Sequence, residues 1–282
     1  MFSNALLRKF LHNTFNQYLA LFIESSLLTL LAICLSQILY PQESGIVSLF
    51  FLSIMLQQCM HDILEENRTG IYEKRLPSLK VNSTTALQIS VIFAGIFFAY
   101  FIISLFLSKE LAFHLFKKQL SIAQINPQDV LSSDFGSFLS LVKHNVIILL
   151  LVLLFSFFFQ HLGAMFVLGL NASIWGVVLS IIEHNTAQQF CSLSYGYNLL
   201  FITTATMSIL PHLLLEAVGY IIASMAGIFL SLACMKYKIT SSEFNRVIST
   251  CIRLLGTAIL FIMIAAYSEV RFPKVLVWFF SS

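Results

Sequence analysis

Long apolar runs dominate the chain, and short polar segments separate them. Six runs stand out, at 19–40, 46–60, 86–107, 146–182, 199–235 and 252–270. A helix needs about 20 apolar residues to cross a hydrocarbon core of about 30 Å. The pattern therefore predicts an all-α protein, a polytopic bundle of six or seven transmembrane helices.

The two longest runs are too long for one span each. As straight helices, 146–182 and 199–235 would each measure about 55 Å, which exceeds the bilayer at ordinary tilt. Polar or helix-breaking residues interrupt both near the middle, "QHLG" at 160–163 and "LPH" at 210–212. The sequence therefore predicts discontinuous helices in the second half of the chain, with Pro211 at the start of a helix that follows an interfacial segment.

The N-terminal segment has a different pattern, with apolar residues at helical spacing and one polar face. The polar face is formed by Arg8, Lys9, His12, Asn13, Asn16 and Gln17. This pattern is typical of an amphipathic helix on the membrane surface. We predict an interfacial helix at 1–18; the alternative is that this segment simply begins the first span.

These elements predict one integral membrane domain over residues 1–282. Its parts are the interfacial helix (1–18), three spans (19–107) with a cytoplasmic loop (61–85), a polar connecting segment (108–145) and a second-half core (146–282). The polar segments are too short to form an additional soluble domain.

The distribution of basic residues predicts the orientation. Lysine and arginine accumulate in cytoplasmic loops. If the N-terminus is cytoplasmic and only one long run crosses twice, ten of the 16 basic residues lie inside. If both runs cross once, the division is even. We therefore predict a plasma-membrane protein with a cytoplasmic N-terminus and seven spans, with 146–182 crossing twice and six spans as the alternative.

Composition excludes several classes of protein. The chain is 58% hydrophobic and only 10% charged, whereas about 25% is usual in soluble domains. The net charge of +3 comes without a basic run, so no nucleic-acid partner is expected. The five cysteines form no CxxC pair, and no metal or other cofactor is predicted.

One candidate polar site lies inside an apolar run. His212 and Glu216 are four residues apart and share one helix face, directly after Pro211. A carboxylate in hydrocarbon costs about 3 kcal/mol, so Glu216 should face the interior of the bundle. The site either binds a partner or substrate group, or locks the fold by satisfying free backbone groups.

Other residues extend this picture. His144, Asn145 and Asn171 are candidate members of the same intramembrane site, since polar side chains often bond between membrane helices. Gly219, Ala223 and Gly227 form a stripe of small residues that permits close helix packing, either within the chain or with a second copy of it.

The loop at 61–77 offers a candidate contact for a partner. Glu65, Glu66 and Arg68 give it charges of both signs. Its position between spans two and three is reminiscent of the coupling segment of ABC-type export permeases. The alternative is an ordinary solvated loop.

The second half resembles the stage II sporulation protein M family. The stretches "HNVIILLLVLLFSFFFQHLGAMFVLGLNASIWGVVLS" (144–180) and "LPHLLLEAVGYIIASMAGIFLS" (210–231) are similar to two conserved blocks of that family. Matching positions are occupied by His144, Asn145, Gly163, Asn171, Gly176, Pro211, His212, Glu216, Gly219 and Gly227. "AAYSEVRFP" (265–273) and 41–67 extend the likeness, the latter to archaeal-type members. The family's glycine after Pro-His is Leu213 here, and "QHLG" stands where the family has a more glycine-rich break.

This resemblance implies a function as a membrane subunit rather than an enzyme. The family's best-known member anchors peptidoglycan hydrolases in a sporulation complex, and similar proteins occur beside ATPase subunits. We therefore expect a non-enzymatic anchor or subunit, with lipid, other membrane or membrane-associated proteins and a cytoplasmic ATPase as candidate partners. The alternatives are a permease-like subunit of an ATPase-driven exporter and, less favoured because no catalytic motif is present, an intramembrane hydrolase.

Overall fold

A computed structural model gives the backbone of residues 14–72, 74, 76–123, 135–189 and 195–281, and the side chains of 15–71, 74, 76–122, 138–181 and 210–270. Within these ranges every regular element is a helix. The helices are α1 (Thr14–Leu39), α2 (Ser44–Tyr72), α3 (Ser78–Phe106), α4 (Lys109–Leu115), α5 (Lys117–Ala123), α6 (Phe135–Gln189), α7 (Tyr195–Lys236) and α8 (Ser242–Ser281). The prediction of an all-α fold is confirmed.

Six helices in the described part of the chain are long and apolar enough to cross a membrane. They contain the segments Phe15–Leu39, Ser44–Ile71, Ser78–Phe106, Phe138–Ile181, Leu210–Lys236 and Ser242–Val270. Large apolar side chains such as Ile38, Phe106 and Phe158 are exposed on the outside of the bundle, where a lipid environment would cover them. The chain is therefore a multi-pass membrane protein.

Helix α6 folds back on itself at Gln160, where φ is 51° and ψ is −128°. The ring centroids of Phe155 and Phe166 are 6.3 Å apart, although eleven residues of straight helix span about 16 Å. The break predicted at "QHLG" is therefore a hairpin between two antiparallel helical arms. We call 135–159 the first arm and 161–189 the second arm.

Both arms traverse the bundle. At the turn, the ring of His161 lies 5.0 Å from the ring of His61 in the second half of α2. Far along the second arm, Ser180 donates a hydrogen bond of 2.6 Å to Ser104 at the opposite end of α3. We name the two ends of the bundle the Gln160 end and the Ser104 end. The hairpin confirms that the helix in 146–182 is discontinuous, and the double crossing of the membrane by its two arms stays a prediction.

Helix α7 does not break at Pro211. It runs from Tyr195 to Lys236 with the proline inside it, so the prediction that Pro211 starts a helix is wrong. Proline removes one backbone donor, but its fixed φ is close to the helical value. A long apolar helix packed among neighbours can therefore continue through it.

Most of the predicted loop at 61–85 is also helical. Helices α2 and α3 extend into it from both sides and leave only 73–77 between them. The buried amide of Asn67 donates to Asn82 at 3.0 Å and to Thr85 at 2.8 Å. The expectation of a loop is wrong because these polar residues pair with each other across the two helices.

Two further predicted segments are only partly described. The interfacial helix at 1–18 lies mostly outside the described residues, which begin within α1. The polar segment 108–145 contains α4, α5 and the start of α6. The buried amide of Gln119 donates to the Gly45 carbonyl at 2.8 Å, which holds α5 against the start of α2 at the Ser104 end.

Gln160→Gly is expected to stabilise the fold by about 1 kcal/mol, because a non-glycine residue at a positive φ of this kind stores about 1–3 kcal/mol of strain. The gain should exceed the loss of the two weak contacts of the Gln160 amide, 3.5 Å to Ser231 and 3.1 Å to the sulfur of Met235. Thermal unfolding in detergent measures it. Gln160→Ala is the control, since it loses the same contacts but keeps the strain. Equal stability of the two variants would contradict the strained turn.

Candidate intramembrane polar site

The site is built on one face of α7. His212, Glu216 and Tyr220 follow each other at intervals of four residues, so each lies one helical turn beyond the last. Their side chains are only 6%, 4% and 1% exposed. The sequence pattern placed two ionisable groups on a face that should be buried, and the structure places them there together with a third polar residue.

The first arm of α6 supplies the direct partner of Glu216. The side-chain amide of Asn145, itself buried, donates a hydrogen bond to Glu216 Oε1. A hydrogen bond to a charged acceptor is stronger than one between neutral groups, and a buried carboxylate without a donor is costly. The Asn145–Glu216 bond therefore ties α6 to α7 through their polar groups.

Helix α8 adds a second carboxylate. Glu269 is half-buried and is near enough to Glu216 for the two groups to interact electrostatically. The hydroxyl of Tyr220 lies within electrostatic range of both carboxylates. Two acidic groups and a phenol on two helices thus interact electrostatically.

The second arm of α6 closes the site around His212. The indole ring of Trp175 meets the imidazole edge-to-face, with centroids 5.7 Å apart and planes at 72°. Among the described residues, no group forms a hydrogen bond with His212 Nε2 or with the Tyr220 hydroxyl. The site therefore contains two buried polar atoms that the described protein groups leave unsatisfied, which is uncommon in folded proteins.

The site lies inside the membrane-spanning part of the bundle. Glu216 lies in the apolar segment Leu210–Lys236, twenty residues before the end of α7, which is about 30 Å along the helix. Asn145 is fifteen residues from the Gln160 turn, about 22 Å along the first arm. We call the set Asn145, Trp175, His212, Glu216, Tyr220 and Glu269 the Glu216 cluster. It lies toward the Ser104 end.

The small residues of α7 bring its neighbours close. A Cβ at Gly219 would lie 3.1 Å from Ile262 of α8, and one at Gly227 would lie 2.6 Å from the Leu153 carbonyl oxygen in the first arm. Ala223, between them, is fully buried. Both close approaches are made by helices of the same chain.

Three predicted members are not part of this cluster. His144 is exposed, so its side chain does not share the buried position of Asn145. Asn171 is buried, but its amide donates to the Val167 carbonyl of its own helix at 2.9 Å. Pro211 lies within α7 beside His212 and offers no polar group.

Sequence reasoning missed three members of the cluster. Tyr220 repeats the spacing from His212 to Glu216, so the same helical pattern could have found it. Trp175 and Glu269 carry no such signal, because each is more than thirty residues from His212 along the chain. Only the packing of the second arm and of α8 on α7 brings them to the site.

A second group of polar residues lies at the Gln160 end. His61 packs against His161, Gln160 contacts the sulfur of Met235 at 3.1 Å, and Arg68 forms a bidentate ion pair with Glu65. We call the surface formed by His61, Glu65, Glu66, Arg68, Gln160, His161 and Lys236 the Gln160-end patch.

The patch is charged and partly exposed. Glu65 and Glu66 are exposed and Arg68 is half-exposed. Glu65 also interacts electrostatically with His61 and Lys236. The predicted partner residues therefore lie on the last turns of α2, beside the hairpin turn and the end of α7, and not on a loop.

The two polar regions differ in what they can do. The Glu216 cluster can hold a proton or a small cation, since it is acidic and closed. Among the described residues, no three histidine, cysteine, aspartate or glutamate side chains are grouped for metal binding. The molecule is thus a polytopic α-helical membrane protein with a buried acidic cluster.

The chain belongs to the Stage II sporulation protein M family. The family model matches residues 88–272, more than half of the chain, and confirms the resemblance. The match includes the whole Glu216 cluster but not 41–67, so it covers less of the chain than the sequence likeness did. No curated protein and no solved structure matches the chain.

Proposed function

We propose that this protein is a non-enzymatic membrane subunit of a larger assembly, and that it contacts a cytoplasmic partner through the Gln160-end patch. The observation that carries the proposal is the convergence of α2, the α6 hairpin turn and α7 on one small surface with charges of both signs. Such a surface offers complementary groups to a protein partner. Membership of the Stage II sporulation protein M family supports a role as a membrane subunit.

The distribution of basic residues supports a cytoplasmic position for this patch. Among the described side chains, Arg68, Lys74, Lys80, Lys236, Lys238, Arg246 and Arg253 belong to the half of the bundle nearer the Gln160 end. The Ser104 end has Lys109, Lys117, Lys118 and Lys143. Because basic residues favour the cytoplasmic side, we place the Gln160 end in the cytoplasm and the protein in the plasma membrane.

The short connections also support a subunit role. Only 40–43, 73–77 and 237–241 separate α1 from α2, α2 from α3 and α7 from α8. These connections are too short for a catalytic domain outside the membrane. The family resemblance likewise implies that catalytic activity of the assembly belongs to its partners.

The exporter alternative now has less support. Discontinuous helices mark transport sites when the break lies near the middle of the membrane. Here α7 is continuous, and the break in α6 lies at the Gln160 end. The hydrolase alternative gains no support from the site, since none of the described side chains forms a hydrogen bond with His212 Nε2.

Neutralising Glu65, Glu66 and Arg68 together, each to Gln, is expected to reduce recovery of the cytoplasmic partner about tenfold or more, since charged rim and patch groups govern association. The measurement is quantitative mass spectrometry of the natively purified assembly. The matched control neutralises three exposed charges at the Ser104 end, Glu110, Lys117 and Lys118, and should retain the partner.

Binding of the purified partner to membrane vesicles tests the orientation of the protein. The purified partner should bind inverted membrane vesicles and not right-side-out vesicles. Undiminished recovery with the patch variant, or equal loss with the control, would contradict the proposed contact. Recovery of an ATPase whose hydrolysis depends on the patch would favour the exporter, and recovery of cell-wall hydrolases alone would favour an anchor that works from the Ser104 end.

A further inference from the structure

When Glu216 is ionised, the Glu216 cluster leaves this charge and two polar atoms without partners among the described residues. Within the described part of the chain, Glu216 accepts a hydrogen bond from Asn145, while the Tyr220 hydroxyl and His212 Nε2 have no partner. A neutral amide cannot cancel the charge of a carboxylate. Ionised carboxylates inside a membrane are normally paired with a cation or protonated, so the cluster is incomplete as an electrostatic unit.

Neighbouring helices do not supply the missing positive charge within the described side chains. Ion pairs join Glu65 to Arg68 and Glu43 to Lys118, and neither involves Glu216 or Glu269. In the first arm, Lys143 and His144 are both exposed.

The other helices around α7 also place no described basic side chain beside the Glu216 cluster. The second arm contributes the neutral Trp175. Helix α3 contributes the buried Tyr100, whose hydroxyl already bonds to Ser48 at 2.7 Å, and its lysine, Lys80, lies near the Gln160 end. On α8, Tyr267 is exposed. The side chain of Arg271, two residues beyond Glu269, is outside the described set.

We propose that the Glu216 cluster is a binding site for one exchangeable monovalent cation, a proton or a sodium ion, held by Glu216 with Glu269 and the Tyr220 hydroxyl. Carboxylate and hydroxyl oxygens bind both ions. This site is independent of the Gln160-end patch, which lies at the other end of the bundle, so either proposal can fail without the other.

The packing restricts the bound ion to a small monovalent cation. The cluster side chains on α7 are nearly fully buried, and two cavities found in the structure, beside Lys118 and beside Leu214, include none of the cluster residues. An organic cation would therefore need the helices to separate. Calcium takes about six to eight oxygen ligands and magnesium retains several waters, and both need more oxygen ligands than this closed cluster provides. A water molecule would hydrogen-bond to the Tyr220 hydroxyl but would leave the charge of the Glu216 carboxylate uncompensated.

Infrared difference spectroscopy of the purified full-length protein tests the proposal. In sodium-free buffer with choline as the cation, the wild type should show the carbonyl stretch of a protonated carboxylic acid. Glu216→Gln should remove this band, and Glu269→Gln should retain it. Glu110→Gln changes an exposed carboxylate of α4 and should leave the band unchanged.

Sodium distinguishes the two ions. If added sodium removes the band and radioactive sodium stays with the protein during desalting, sodium replaces the proton at the same site. If the band persists and no sodium is retained, the ion is the proton alone. Should Glu216→Gln fail to fold, Tyr220→Phe provides the readout, because loss of its hydroxyl should alter the frequency of the Glu216 band without removing it.

Three results would overturn the proposal. The first is the absence of both the band and sodium retention in the wild type. The second is a band that Glu216→Gln leaves intact. The third is a band that appears only in Arg271→Gln, since this would show that Arg271 neutralises the cluster as a fixed ion pair.

Discussion

Gly163→Ala is expected to prevent the two arms of α6 from closing and to destabilise the protein by about 3 kcal/mol, at the upper end of overpacking effects. A Cβ at this position would lie 2.2 Å from the carbonyl oxygen of Phe155 and 2.9 Å from Cβ of Phe159. The nearer atom belongs to the backbone, so no side-chain rotation can relieve the contact. The arms would have to separate, and the stacking of Phe155 on Phe166 would be lost.

The chain offers a matched control for this substitution. A Cβ at Gly256 in α8 would meet nothing within 4 Å, so Gly256→Ala should be neutral or stabilise by up to about 1 kcal/mol through helix propensity. Thermal unfolding of both variants in the same detergent gives the comparison. A Gly163→Ala protein as stable as the wild type would show that the arms are not in such close contact at the hairpin.

Asn145→Leu is expected to cost about 2–3 kcal/mol, because it leaves the buried Glu216 carboxylate without its hydrogen-bond donor. Glu216→Gln should be folded and close to wild-type stability, since the glutamine oxygen can accept the same bond and the charge is gone. In a Glu216→Gln background, Asn145→Leu should therefore cost at least 1 kcal/mol less than in the wild type, a coupling that a double-mutant cycle measures.

The activity of the assembly distinguishes a functional role of the Glu216 cluster from a purely structural one. Glu216→Gln should fold but impair the activity of the assembly if the carboxylate acts there. Full activity in both Glu216→Gln and His212→Ala would instead show that the cluster only holds the helices together. Additive effects of Asn145→Leu and Glu216→Gln on stability would contradict the bond itself.

Part of the site was readable from local spacing. His212 and Glu216 share a helix face whatever the rest of the fold does, because residues four apart in a helix are neighbours. Their position inside an apolar run predicted that this face is buried, and both side chains are buried. Pro211 misled the prediction in the same stretch, because proline affects one backbone bond while packing along the whole of α7 keeps it helical.

Local pattern could not find the other members of the cluster. Asn145 and Glu269 lie on either side of α7 in sequence, at distances of more than fifty residues from Glu216. Their proximity depends on how α6 and α8 dock, which Gly227 and Gly219 allow by their lack of a side chain. Small residues indicate that some helix approaches closely, but they do not say which helix.

The sequence by itself determined that this protein is a multi-pass helical membrane protein of the Stage II sporulation protein M family, because hydropathy and residue spacing act locally and independently of the final packing. The tertiary structure decided where the chain turns and what meets Glu216. Gln160 turns the chain without being a glycine or proline, Asn67 keeps a polar stretch helical by pairing across α2 and α3, and Glu269 reaches the cluster from a distant helix. Each depends on contacts between segments far apart in the chain, and no local propensity encodes such contacts.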